Sequence, residues 1–186
     1  MVEVKRQLFH ITLGLLLAAT AFIIGKEWFS LLIAIGIISL LVVIHYLTIG
    51  YETKLTDYLI HTFDRRDVIP FKGALTYLIG ILFAVTMLKS FQLALGVIII
   101  LAVGDGFSTL IGHFRGHHKL PYNEKKSFEG VIAFIITAFI ASSLVINWQQ
   151  ALFYSVFLGL IESLDFQVDD NLAIPGMAWV ASVLLG

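Results

Sequence analysis

Side chains able to do chemistry are few in this chain, and they fall in four places. Glu3, Arg6 and His10 are spaced i, i+3 and i+7, which puts them on one helical face. Asp105 sits between Gly104 and Gly106 inside a long apolar run. A lipid-facing carboxylate at membrane depth costs several kcal/mol, so an acid there should face protein or a water-filled cavity. Lys119, Lys125 and Lys126 precede Ser127, Glu129 and Gly130 at the start of another apolar run, and ammonium groups beside the free amides of a helix N-terminus suit a polyphosphate. Finally, Glu162 and Asp165 close an apolar run, and Asp169-Asp170-Asn171 follows without an intervening cation. Hard oxygen ligands of this kind suit magnesium, which takes one or two carboxylates and completes its shell with phosphate and water.

Each of these has a plainer reading. Arg6 can anchor at an interface while His10 bonds a backbone carbonyl, and Asp105 can pair with a lysine of the following loop. The lysines fit a cytoplasmic loop, Ser127 is a good helix N-cap, and Glu129 in a first turn suits the helix dipole. The acidic turn can simply be solvated. His113, His117 and His118 imitate a zinc site, but with no cysteine in the chain no thiolate accompanies them.

The elements that must position these groups are apolar. Of 186 residues, 59% are hydrophobic and 13% charged, and the mean hydropathy is +0.93, outside the range of soluble domains. About 20 apolar residues of helix cross a bilayer, and seven segments approach that length: 8–24, 28–47, 73–88, 91–112, 128–146, 148–164 and a short 172–185. The expected fold is an all-α polytopic membrane bundle of about seven spans forming a single domain over residues 1–186. The first run follows Glu3, Lys5 and Arg6 without a small-residue cleavage pattern, and reads as a permanent span rather than a signal peptide.

With the N-terminus cytoplasmic, ten of the lysines and arginines lie inside and only Lys26 and Lys89 outside. The four chemical clusters then converge on the cytoplasmic face. In the connection from Thr48 to Lys72, the residues Leu55, Tyr58, Leu59, Thr62 and Phe63 recur at helical spacing, which predicts an amphipathic helix on that surface. Arg65-Arg66, beside Asp64 and Asp67, could ion-pair locally or meet anionic headgroups.

In order along the chain, Glu3-x-Lys5-Arg6-x3-His10 with Gly14, Gly73-x3-Tyr77, Gly104-Asp105 with Gly112, Gly116 and Lys119, Lys126-Ser127-x-Glu129-Gly130, and Glu162 followed by Asp169-Asp170-Asn171-Leu172 and Pro175 form a series covering nearly the whole sequence. This series resembles the integral-membrane family of CTP-dependent lipid kinases, which act on dolichol, polyprenols, phytol or diacylglycerol and are distantly similar to phosphatidate cytidylyltransferases. The resemblance implies transfer of the γ-phosphoryl group of CTP to a lipid alcohol, with Mg²⁺ or another divalent cation. It implies catalytic roles for Asp105, Lys119, Lys126 and Glu129, and nucleotide contacts from Gly104, Gly112, Gly116, Lys119, Lys126, Ser127 and Asn171. Arg6, His10 and Glu162 would meet substrate or phosphate, and Asp105, Asp169 and Asp170 the metal. Eukaryotic dolichol kinases carry additional N-terminal spans, so this chain looks like a minimal catalytic core.

The expected acceptor is dolichol or another polyprenol, with phytol and diacylglycerol as alternatives. The expected partners are that lipid, CTP and the bilayer, with no nucleic acid, in the cell membrane or a eukaryotic endoplasmic reticulum. Two other classes compete: a cytidylyltransferase that attacks the α-phosphorus of CTP, and a small ion-coupled transporter using Asp105 and Glu162. The Asp-Asp-Asn-Leu segment resembles the kinases more than the cytidylyltransferases, and a transporter would carry polar residues on both sides of the membrane.

Overall fold

The computed structural model describes residues 2–63, 69–164, 166 and 168–185. Asp64, Arg65, Arg66, Asp67 and Asp165 lie outside these described residues. In chain order the elements are α1 (Val2–Thr48), α2 (Lys54–Phe63), α3 (Lys72–Met87), α4 (Phe91–Ile99), a π-helical turn (Ile100–Asp105) and α5 (Gly106–Arg115). There follow strands β1 (Lys119–Leu120) and β2 (Asn123–Ser127), then α6 (Phe128–Ser142), α7 (Trp148–Ser163) and α8 (Asp170–Leu184). The protein is helical apart from that one antiparallel hairpin, in which Lys119 pairs with Ser127.

The first two apolar segments form α1, broken at Gly25 by a φ of 81° and ψ of 168°. Only glycine takes such a φ without strain. Arg6 and His10 from the first half and Leu40 and Val43 from the second line the same cavity, so the helix doubles back at Gly25 into a hairpin.

At the centre runs α4 with its π-helical continuation, in which every residue from Leu93 to Gly104 is buried. A helix apolar on all sides belongs in the middle of a bundle, and α1, α3, α6, α7 and α8 all pack on this one. Gly104 and Gly106 do not open the chain, which stays helical through both. Instead they let neighbours close in: a Cβ at Gly104 would meet Phe134 Cζ at 3.0 Å, and one at Gly106 would meet Ile11 Cγ1 at 2.4 Å.

The outer surface is apolar as well. Ile132, Ile136, Ile140 and Leu144 recur every fourth residue and are exposed, as are Phe22, Ile23 and Trp28 around the α1 break. Two helical stretches, Glu3–Thr48 and Phe91–Arg115, are long and apolar enough to cross a membrane. Lys72–Met87 and Phe128–Ser142 are apolar but shorter, because a helix of 16 residues reaches only about 24 Å, less than the ~30 Å hydrocarbon layer.

Candidate active site

The polar clusters meet at one end of the bundle around a cavity of about 1210 Å³. Asp105 closes the π-helical turn, whose extra residue per turn is a device often found at functional sites. One turn later on the same face, Ser108 Oγ donates to Glu162 Oε1 at 3.0 Å. Glu162, near the end of α7, is 1% exposed. The Lys126 ammonium, carried in on β2, donates to the same Glu162 oxygen and also to Asp170 Oδ2 at 3.0 Å. Asp105, Glu162 and Asp170 each present one oxygen within 4.8 Å of the others. A buried charge survives only when paired or bound to a metal, and Glu162 Oε2 has no hydrogen-bond partner among the described residues. That orphaned oxygen, among three carboxylates, fits a divalent cation.

Burial alone would lower the Lys126 ammonium, but the nearby carboxylates of Glu162, Asp170 and Asp105 outweigh it and hold the group above the ordinary lysine range. On the other side of Asp105, His10 Nε2 is 3.6 Å from Asp105 Oδ2 and 3.4 Å from the Leu101 carbonyl oxygen. The His10 ring packs on Tyr77, with centroids 4.5 Å apart. The Tyr77 hydroxyl is wedged where a Cβ on Gly14 would stand 2.2 Å from it.

Other residues singled out by sequence, Arg6, Gly112, Ser127, Asp169 and Asn171 among them, also line the cavity, several while bonding its frame. Asp169 is not in the three-acid group; its side chain accepts from Asn171 N at 3.0 Å and caps α8. Asn171 Nδ2 donates to Gly73 O and Thr76 Oγ1, both at 3.3 Å, tying α8 to α3. Ser127 Oγ accepts from Gly130 N at 3.2 Å and caps α6, and Gly116 is placed where a Cβ would meet that oxygen at 2.7 Å. Gly112 lines the cavity beside it, while Lys119 and Lys125 are exposed on its rim. Arg6 pairs with Glu3, which also accepts from Gln7 Nε2 at 3.0 Å. Glu129 turns away from the cavity: His118 Nδ1 lies 2.6 Å from it, and it accepts from the His118 backbone N–H. No group of three ligands containing a histidine forms among the described residues.

Ser108, Thr109, His113, Asn123 and Tyr77 also line the cavity. The signal for Ser108 was its i+3 spacing from Asp105. Asn123, by contrast, is fixed by a bond from its Nδ2 to Ser163 O at 3.0 Å, a contact 40 residues distant.

A helical protein with three carboxylates, a lysine and an apolar-walled cavity at one end is the class that fold and site define. No protein-family model and no solved structure matches the chain. Among characterised and related proteins, it is 29% identical to a probable chloroplastic phytol kinase 2 of Oryza sativa subsp. japonica, over 98% of this chain and 66% of that protein. It is 34% identical to a chloroplastic farnesol kinase of Arabidopsis thaliana, over 66% of this chain and 45% of that protein. An uncharacterised protein of Methanocaldococcus jannaschii is 30% identical, over 93% of this chain and 88% of its own length. The chain thus spans about half to two thirds of the plant kinases, and it belongs to the lipid-kinase family that includes phytol kinase and farnesol kinase.

Proposed function

We propose that the protein is an integral-membrane kinase that moves the γ-phosphoryl group of CTP onto the hydroxyl of an isoprenoid alcohol, with its site on the cytoplasmic face. The observation that carries this reading is the meeting of Asp105, Glu162, Asp170 and Lys126 inside a cavity that also has an apolar wall. The exposed apolar stripes and the ten-to-two split of basic residues support a single membrane-embedded domain of seven spans. The relatives named for phytol and farnesol move the favoured acceptor from dolichol to isoprenoids of that kind.

Phosphoryl transfer asks mainly for positioning and charge neutralisation. Asp105, Glu162 and Asp170 would hold Mg²⁺, which when bound neutralises phosphate charge. Lys126 moves its ammonium from the carboxylates to the triphosphate, and Lys119 and Lys125 at the rim draw in the polyanion. His10, oriented by Asp105, takes the alcohol proton as the alcohol oxygen bonds to the γ-phosphorus. The bond from that phosphorus to the β–γ bridging oxygen breaks, and CDP leaves.

The test is a panel of phytol, farnesol, dolichol, a polyprenol and diacylglycerol in detergent micelles with labelled CTP or ATP. The expected result is γ-label from CTP on phytol or farnesol. A CDP-lipid product, or no labelled lipid at all, would overturn the reading.

A further inference from the structure

The cavity wall has a polar part, used above, and an apolar part, called the arm below. The arm is formed by Leu13, Gly36, Leu40, Val43, Leu59 and Leu78. Gly36, Leu40 and Val43 are spaced i, i+4 and i+7, so the second half of α1 turns one face to this arm. Leu13 follows His10 by one helical turn on the first half, and Leu78 adjoins Tyr77, whose ring packs on His10. The apolar walls therefore lead to the His10–Asp105 pair. Gly36 and Leu13 lie nearer the Gly25 turn than Val43 and Arg6 do, which makes them the deep end of the arm, towards the middle of the bundle. Leu59 of α2, an element that packs on α1, also lines the cavity.

We propose that this arm holds the hydrocarbon chain of the acceptor alcohol, hydroxyl at His10–Asp105 and tail towards Gly36, and that the missing side chain at Gly36 sets how long a chain is accepted. The assignment rests on the lipid-kinase reading. A Cβ built at Gly36 meets only Leu78 Cδ1, at 3.9 Å, so a larger side chain there would extend into the arm rather than into packed protein. Val43 and Ser39, at the open side of the same face, are exposed, which leaves the arm accessible sideways to a molecule already in the bilayer. The other apolar groove, on α7 along Trp148, Leu152, Phe153, Val156 and Leu160, has no carboxylate or lysine in its wall and leads to no reacting group.

The discriminating experiment compares geraniol with the twice-as-long geranylgeraniol in the wild type, Gly36→Phe, Leu13→Phe and the outward-facing control Ile140→Phe. Chain discrimination in an apolar pocket runs from about tenfold upwards. Gly36→Phe and Leu13→Phe should lower the ratio of kcat/KM for the long over the short alcohol by about tenfold or more, with the control ratio within about twofold of wild type. If one variant fails to fold, the other still reports, because the two residues wall the same end. A ratio unchanged in the folded arm variants, or lowered equally in the control, overturns the assignment. Absence of phosphorylation of either alcohol by the wild type sinks the kinase reading itself, and the arm assignment falls with it.

Discussion

The ammonium of Lys126 donates to the carboxylate of Glu162, 36 residues away, and in doing so joins the hairpin strand β2 to the buried end of α7. Glu162 has a fully buried side chain, so this lysine compensates a charge that water does not reach. Removing one partner of such a pair leaves the other uncompensated and costs about 3–5 kcal/mol. Lys126→Met should therefore lower the melting temperature in detergent and reduce turnover at least about hundredfold. The double variant Lys126→Met with Glu162→Gln should regain most of the melting temperature and none of the turnover. Recovery of turnover would contradict the role given to Lys126.

The pH dependence of that stabilisation follows from the sign of the lysine shift. The folded state holds Lys126 above the ordinary lysine value of ~10.4, so its contribution is complete below that value and is lost as pH rises through the folded one. The difference in melting temperature between wild type and Lys126→Met should be flat from neutrality to about pH 9 and shrink only in stronger alkali. A difference already closing between neutrality and about pH 9 would mean that the carboxylates do not hold the ammonium as described.

Metal binding separates the acids. Asp105→Asn, Glu162→Gln and Asp170→Asn should each weaken Mn²⁺ binding, read directly by electron paramagnetic resonance, by about tenfold or more, since each removes one hard ligand. Asp169→Asn should weaken it less, because asparagine caps a helix as well as aspartate does. In the same spirit, Glu162→Gln should cost at least about hundredfold in turnover, and Glu129→Gln less than about tenfold, since Glu129 bonds His118 outside the cavity. Equal losses at Glu129 and Glu162 would contradict this placement.

The seating of α8 depends on Gly80. A Cβ there would come within 2.0 Å of the Asn171 carbonyl oxygen, which is backbone and has little freedom to yield. Gly80→Ala should destabilise the protein by about 1–3 kcal/mol and reduce turnover through displacement of Asp170, whereas Gly176→Ala, with nothing within 4 Å, should leave the melting temperature near wild type.

Much of the frame was legible because apolar runs bounded by charge are a strong signal. The segments at 73–88, 148–164 and 172–185 match α3, α7 and α8 closely, and the amphipathic spacing around Tyr58 and Leu59 became α2. The hairpin was not legible. Asn123-Glu124-Lys125-Lys126 has no alternation of apolar and polar residues and no strand-favouring side chains, so only its pairing with β1 makes it a strand. Nor does a π-helical turn have a side-chain signature. The need for Gly104 and Gly106 is not written in their spacing either; it comes from the close approach of Phe134 and Ile11. Within the site, the sequence marked Asp105, Lys126, Glu162 and Asp170, but which acids would meet was fixed by helix ends far apart in the chain. Asp169 caps α8 while lining the cavity, and Glu162 stands with Asp105 and Asp170.

The central claim is tested most directly by giving liposome-reconstituted protein, wild type and Glu162→Gln, CTP labelled at either the α or the γ position together with phytol. The account predicts that γ-label appears on extracted phytol with the wild type and falls at least about hundredfold with Glu162→Gln, while α-label stays in water-soluble CDP. Transfer of α-label to the lipid, or γ-label undiminished by Glu162→Gln, would contradict it.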